Sequence, residues 1–261
     1  MEWLGNDITL WILLALMMSA FAAGFIDSVA GGGGLILVPS FILAGLPPQI
    51  ALGQEKIVST LGTIAAIRNF MRNKCVVWTA VATGIPAGLI GAYFGAEAIL
   101  YFEPDTIGKI ILGMLPIGIV LSFLPKKSNA SSEAKPVNKH VIFFGVPSAV
   151  FVIGFYDGFF GPGTGSFLIL ALHYLLRFDL VSASATSKLF NFASNIGALI
   201  AFMLAGNVLY ALALPLVAMN LLGNHFGSAS AMKYGAKLIQ RTISLSLTLL
   251  MCSLGYKFLV A

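Results

Sequence analysis

Two lysines, Lys56 and Lys188, stand inside long apolar stretches of the chain. A charged side chain in such surroundings costs several kcal/mol, so it has either a buried counter-charge or a ligand to hold. Lys56, Ser59 and Thr63 fall at i, i+3 and i+7, which is one face of a helix. Lys188, Asn191 and Asn195 repeat that spacing, with Ser194 alongside. Each stripe is headed by an ammonium and followed by hydroxyls or amides, the donors that an oxyanion with several acceptor oxygens needs. A structural reading accounts for the same residues: each lysine pairs with an aspartate and locks the fold. The pattern leaves both open. In the binding reading Lys188 matters more, because Glu55 partly offsets Lys56.

Glycine-rich runs precede short apolar segments in two places. One is Gly31, Gly32, Gly33 and Gly34; the other is Gly161-Pro162-Gly163-Thr164-Gly165. If a helix starts after such a run, its exposed N–H groups and the positive end of its dipole favour an anion. The alternative is that the glycines allow close helix contact or a tight re-entrant turn. No acidic residue follows at dinucleotide-binding spacing and no Gly-Lys-Ser/Thr completes a phosphate loop, so a nucleotide is not implied. Asp27 and Asp157 end the apolar runs before the two glycine stretches. They either couple proton movement to transport, or cap the turns and pair with the lysines. His225 is a candidate proton relay, while Asn220 and Asn224, at i and i+4, read as packing contacts between helices.

These residues must be held by a membrane scaffold. Of 261 residues, 58% are in the AVILMFWYC set and only 10% are charged, with 28 glycines besides. Mean hydropathy is +0.94. A water-soluble domain carries about 25% charge, so the soluble class is excluded, and so is disorder. Uncharged stretches at 8–26, 28–54, 57–67, 75–96, 110–124, 141–156, 158–176, 189–232 and 242–256 give about ten apolar segments. The 44-residue stretch 189–232 divides at Gly206-Asn207 into two span-length pieces. Residues 35–46 and 166–176 are too short to cross a hydrocarbon core of about 30 Å as helices. Short, glycine-interrupted segments at matching places in two halves point to a transporter's binding region. The fold expected is all-α and polytopic, with about 8–10 membrane segments including two short Gly-rich broken or re-entrant hairpins. The two cysteines, Cys75 and Cys252, suggest neither a disulfide framework nor a metal site. No cofactor and no metal is implied. The basic residues lie in short segments between apolar runs, which speaks for membrane orientation and against a nucleic-acid partner.

The chain repeats itself. Gly24-Phe25-Ile26-Asp27 returns as Gly154-Phe155-Tyr156-Asp157, an offset of 130. After two extra residues the offset is 132, linking Lys56 to Lys188, Val76 to Val208, Gly91 to Gly223 and Gly95 to Gly227. One offset held over that length marks a tandem duplication. Residues 1–124 form the first membrane repeat, 125–139 a cytoplasmic linker, and 140–261 the second repeat, together one transport domain. Loop charges give the orientation. Arg68, Arg72 and Lys74 are basic where the second copy has Gly206-Asn207; Glu97, Glu103 and Asp105 are acidic where the second copy has Lys233, Lys237 and Arg241. Lys and Arg mark cytoplasmic loops, so equivalent loops fall on opposite faces and the repeat is inverted, with both termini outside. Arg68 then serves as a membrane-orientation anchor.

Gly24 to Pro39 (GFIDSVAGGGGLILVP), Ala44-Gly45-Leu46-Pro47-Pro48 and Ala51-Leu52-Gly53 resemble the sulfite exporter TauE/SafE family. So do Gly154 to Ser166 (GFYDGFFGPGTGS) and Ala185-Thr186-Ser187-Lys188. The resemblance covers essentially the whole chain, duplication included. It implies an inner-membrane permease for small sulfur-containing anions such as sulfite, sulfonates or sulfoacetate. This chain has Gln54-Glu55-Lys56 where the family pattern usually reads Thr-Asn-Lys. Inverted repeats with broken helices build alternating-access carriers, here expected to be linked to the proton motive force. The partners are the bilayer and a small anion, and the sequence assigns no oligomeric state. An anion channel is the alternative, because re-entrant glycine loops also line pores. An intramembrane enzyme is weaker: no nucleophile, base and orienting group occur together.

Overall fold

The computed structural model describes residues 9–111, 113, 141–176 and 178–260, with the backbone alone at 30, 175, 176 and 236–260. The linker expected at 125–139 and both chain ends lie outside the described residues. Every regular element among the described residues is helical.

Helix α1 (Leu10–Ala30) starts at Thr9, whose side chain accepts from the Ile12 N–H. It stops at Gly31, where φ of 74° gives a left-handed cap and the N–H returns to the Asp27 carbonyl at 2.8 Å. Glycine is needed there because a Cβ would also run into the backbone of Gly165. Two short steps lead to α2 (Gly34–Leu43), about 15 Å long. Pro48 opens α3 (Pro48–Arg72), a place where its missing N–H costs nothing. After a short turn comes α4 (Trp78–Leu100), followed by a helical segment over 104–111.

The second half replays this order. A π-turn at Val141–Gly145 feeds α5 (Val146–Phe159), and the glycine loop leads to α6 (Thr164–Leu176). Asp179 caps α7 (Leu180–Leu204) by accepting from the Val181 and Ser182 N–H groups, both at 3.0 Å. The chain turns through Gly206-Asn207, the division expected from the sequence, into α8 (Tyr210–Val260), which is broken at Gly235.

The halves pack crosswise. Helix α1 lies along α8, and α5 lies along α4. Equivalent glycines make both approaches possible: a Cβ on Gly223 would overlap the Phe21 carbonyl, and one on Gly91 the Phe151 carbonyl. The registers rise together, with Gly24 on Asn220 and Gly227 on Phe25, and with Gly154 on Gly88 and Gly95 on Phe155. Helix α3 runs likewise along α8, with Gly53 on Asn207 and Gly62 on Asn220. Its counterpart α7 runs along α4, with Phe190 on Gly84 and Gly197 on Leu89.

Polarity is distributed inside-out. Trp11, Leu43, Val152 and Leu214 are exposed, at 79%, 84%, 66% and 73%, whereas Lys56 and Lys188 are buried at 1% and 0%. Such a molecule is solvated by lipid. Four described helices are long and apolar enough to cross a membrane: Leu10–Val29, Trp78–Leu100, Val141–Phe159 and Leu180–Leu204. Helix α3 is as long as α7 but less apolar, because its N-terminal half carries Gln54, Glu55 and Lys56, all buried, and its last turns carry Arg68 and Arg72.

Candidate functional site

The two buried lysines each cross to the other repeat. The Lys56 ammonium on α3 donates to Asp157 Oδ1 on α5 at 2.8 Å and to Asn195 Oδ1 on α7 at 3.2 Å. Lys188 on α7 donates to Asp27 Oδ2 on α1 at 2.9 Å. The structure therefore brings together four of the titratable residues singled out in the sequence, as two pairs at equivalent repeat positions. At this depth an ammonium with no acceptor would be prohibitive, and an aspartate at the end of the first helix of each repeat supplies one.

The stripes are threaded into the same cluster. Asn195 Nδ2 donates to Asn191 Oδ1, so both amides of the second stripe stand behind Lys56. Ser194 donates to Asp157 Oδ2 at 2.6 Å, which leaves that carboxylate with a partner on each oxygen. On the first stripe Ser59 donates to Glu55 Oε1 at 2.7 Å. Thr63 Oγ1 is buried and has no hydrogen-bond partner among the described residues.

The glycine loops lie on top of each other. Ser166 N–H donates to the Gly31 carbonyl at 3.1 Å, and a Cβ on Gly31 or Gly165 would meet the other's backbone. Gly161, at φ of 91°, places its Cα under the Lys56 ammonium, so that a side chain would contact Nζ. Gly33 faces the Asp27 side chain, while Gly34 faces both Glu55 and Pro162. Tyr156 fixes the second loop by donating to the Pro162 carbonyl at 2.8 Å. Part of the anion-binding potential of these helix starts is already committed. Leu35 N–H goes to the Gly32 carbonyl, Ile36 and Leu37 N–H to that of Gly33, Thr164 N–H to that of Gly161, and Phe167 N–H to that of Gly163.

His225 stands apart. It is exposed on α8, with Nδ1 3.3 Å from Asn69 Nδ2, and Asn69 lies about 20 Å along α3 from Lys56. Asn220 bridges helices, donating to the Ala20 carbonyl at 2.8 Å, and Asn224 donates back to Asn220. Among the described residues no group of three His, Cys, Asp or Glu is placed to hold a metal ion.

The model of the family described as sulfite exporter TauE/SafE matches residues 16–254. The chain belongs to the TauE/SafE family. Its TauE/SafE relatives carry the same class of name. A probable membrane transporter protein, YfcA, of Escherichia coli K12 is 36% identical over 236 residues, 89% of this chain and 85% of the relative. A probable membrane transporter protein of Haemophilus influenzae is 34% identical over 235 residues, covering 90% and 91% of the two chains. One from Sinorhizobium, ORF9, is 37% identical over 238 residues, covering 90% and 89%. No solved structure matches. With its lipid-facing surface, this TauE/SafE member is an integral membrane transporter.

Two features of this TauE/SafE chain escaped the sequence pattern. Gln54 donates to and accepts from the Leu209 backbone, both at 3.1 Å, which ties α3 to the start of α8. Its repeat equivalent Thr186 accepts from the Val77 N–H at 3.1 Å and ties α7 to the start of α4. The offset of 132 connects Gln54 with Thr186 and Val77 with Leu209, but the signal is visible only once the partner is known to lie in the other copy. The second feature is Glu55, whose Oε2 sits 3.1 Å from the Lys56 ammonium. The sequence marks it as a charge beside Lys56, not as a member of the buried cluster.

Proposed function

We propose that the protein is a secondary carrier that moves a small sulfur-containing anion, of the sulfite, sulfonate or sulfoacetate type, across the inner membrane by alternating access linked to the proton motive force. The observation that carries this reading is the pair of cross-repeat lysine–aspartate bridges beside the touching glycine loops. A lysine bridged to an aspartate of the other repeat is an exchangeable contact: an arriving oxyanion competes with the carboxylate for the ammonium, and release restores the bridge. Lys56 with Ser59 and Thr63, and Lys188 with Asn191 and Asn195, supply the donors. Gly31, Gly32, Gly33, Gly34, Gly161, Gly163 and Gly165 let backbone come close. Opening one bridge loosens one repeat against the other, which is the motion alternating access needs.

The packing supports an inverted relation of the repeats. Helix α7 runs with α4, and α4 follows α3 across a turn short enough to reverse the chain, so α7 opposes its counterpart α3. With the loop charges, this supports both termini outside and 125–139 in the cytoplasm. Helices α2 and α6, too short to span, then enter from opposite faces as re-entrant arms.

The test is uptake into proteoliposomes of a panel of sulfur oxyanions against phosphate, nitrate and acetate. Saturable uptake of a sulfur anion, driven by an imposed proton gradient and absent from protein-free vesicles, is expected. No uptake of any sulfur anion overturns the substrate class, and flux that rises without saturation favours a channel.

A further inference from the structure

Five charged side chains are buried among the described residues: Asp27, Glu55, Lys56, Asp157 and Lys188. Three carboxylates thus face two ammoniums, and fully ionised the cluster carries one uncompensated negative charge. Such a charge in a lipid-solvated interior is costly, and it is relieved by one proton.

The partners decide where that proton sits. Asp27 has Lys188 at 2.9 Å. Asp157 has Lys56 at 2.8 Å on one oxygen and the Ser194 hydroxyl at 2.6 Å on the other, so both of its oxygens receive a hydrogen bond. Glu55 has the Ser59 hydroxyl on Oε1, but Oε2 receives no aligned hydrogen bond, although Lys56 lies 3.1 Å away. It is the one carboxylate oxygen among the buried side-chain atoms that lack a hydrogen-bond partner in the described residues. The start of α2 does not compensate it, since the Leu35, Ile36 and Leu37 N–H groups go to the carbonyls of Gly32 and Gly33.

Among the described residues no other charge balances Glu55. On its own helix Lys56 faces it; from α5, Asp157 faces it across the shared ammonium. Lys188 of α7 is engaged with Asp27 of α1, and α2 carries no titratable residue. On α8 the described titratable side chains are Tyr210, His225, Lys233 and Tyr234, all exposed. At the equivalent position of the second repeat stands Ser187, so the surplus carboxylate belongs to one half only.

We propose that Glu55 is a proton-binding site: its carboxyl holds one proton at Oε2 in the resting protein and releases it during the transport cycle, so that proton and anion movement are coupled at this residue. Protonation brings the five-membered cluster from one net negative charge to neutrality and leaves Lys56 to Asp157 and Asn195. Deprotonation draws the ammonium toward Glu55 and weakens the bridge to Asp157, which alters the contact between the repeats. The coupling role rests on the permease reading above; the resting proton does not.

Infrared difference spectroscopy of the purified protein at neutral pH tests the resting proton directly. A protonated-carboxyl carbonyl band that shifts in heavy water is expected in the wild type and is expected to vanish in Glu55→Gln, which keeps the acceptor for Ser59. Glu55→Ser, which copies the second repeat, is the companion variant should the glutamine protein not fold. Absence of the band from the wild type, or its persistence in either folded variant, overturns the proposal. In proteoliposomes an inward proton gradient is expected to raise wild-type anion uptake severalfold and to leave Glu55→Gln uptake unchanged; equal stimulation of both removes Glu55 from the coupling. Failure of the permease reading looks different: no anion is taken up by either protein, while the infrared result stands.

Discussion

The Lys188–Asp27 bridge offers a quantitative trial of whether the buried pair is a lock alone or also a binding group. The ammonium side chain is fully buried, its partner is 11% exposed, and the two are 2.9 Å apart. Removing one member leaves the other as an uncompensated buried charge, at a cost of about 3–5 kcal/mol. Lys188→Met and Asp27→Asn are each expected to lose that much. The double variant has no stranded charge and loses about 1–3 kcal/mol, mainly for the amide without its partner. The cycle therefore returns a coupling of at least about 3 kcal/mol, at the upper end of what contacting residues show. Reversible unfolding in mixed detergent micelles, followed by circular dichroism, reads these differences. Losses that add to within about 0.5 kcal/mol would refute the pairing. The double variant then serves a second purpose: it folds without its bridge. If it still takes up anion like the wild type, the pair is structural only; loss of uptake from a folded protein shows that the pair serves transport as well as the fold.

Other expectations are independent of that bridge. Gly223→Ala drives a methyl into the Phe21 carbonyl and Gly91→Ala into that of Phe151, so each should destabilise by about 3 kcal/mol or more; Gly206→Ala, left-handed at φ of 74° but with open space around it, should lose about 1–2 kcal/mol, all read as melting shifts in detergent. Burial pushes the Cys75 thiol above its ordinary value and the Asp179 carboxylate pushes it further, so the thiolate is scarce at neutral pH. In a Cys252→Ser background, maleimide labelling of Cys75 should climb steeply with pH, and Asp179→Asn, which keeps a cap, should accelerate it at pH 7; equal rates would remove Asp179 as a cause. A fluorescent reporter that matures only in the cytoplasm should stay dark when fused to Ala261, and bright cells would reverse the orientation read from Arg68, Arg72 and Lys74.

Much of the scaffold is legible in the chain because a bilayer enforces long uncharged runs and because the duplication repeats its landmarks. Gly206-Asn207 divides α7 from α8, and the two short apolar runs become α2 and α6. The candidate cluster is half legible. Spacing places Lys56 with Ser59 and Thr63 on one face, but it does not say whether Asp27 serves Lys56 or Lys188. Of Asp27 and Asp157, the one nearer in sequence is the wrong partner for each lysine, because the first helix of one repeat packs on the last helix of the other. Periodicity within one copy carries no information about that exchange. His225 shows the converse: polar and inside an uncharged run, it faces outward beside Asn69, because a helix in that run has an exposed face as well as a buried one.

Counterflow in proteoliposomes is the most direct trial of alternating access. Vesicles loaded with unlabelled sulfur anion, of the species selected by the uptake panel, are diluted into a trace of the radiolabelled form with no proton gradient. A carrier whose repeats rock around one site returns loaded faster than empty, so the label should accumulate transiently above its equilibrium level and then decay. Monotonic equilibration, independent of the internal anion, would contradict alternating access and leave a pore in its place.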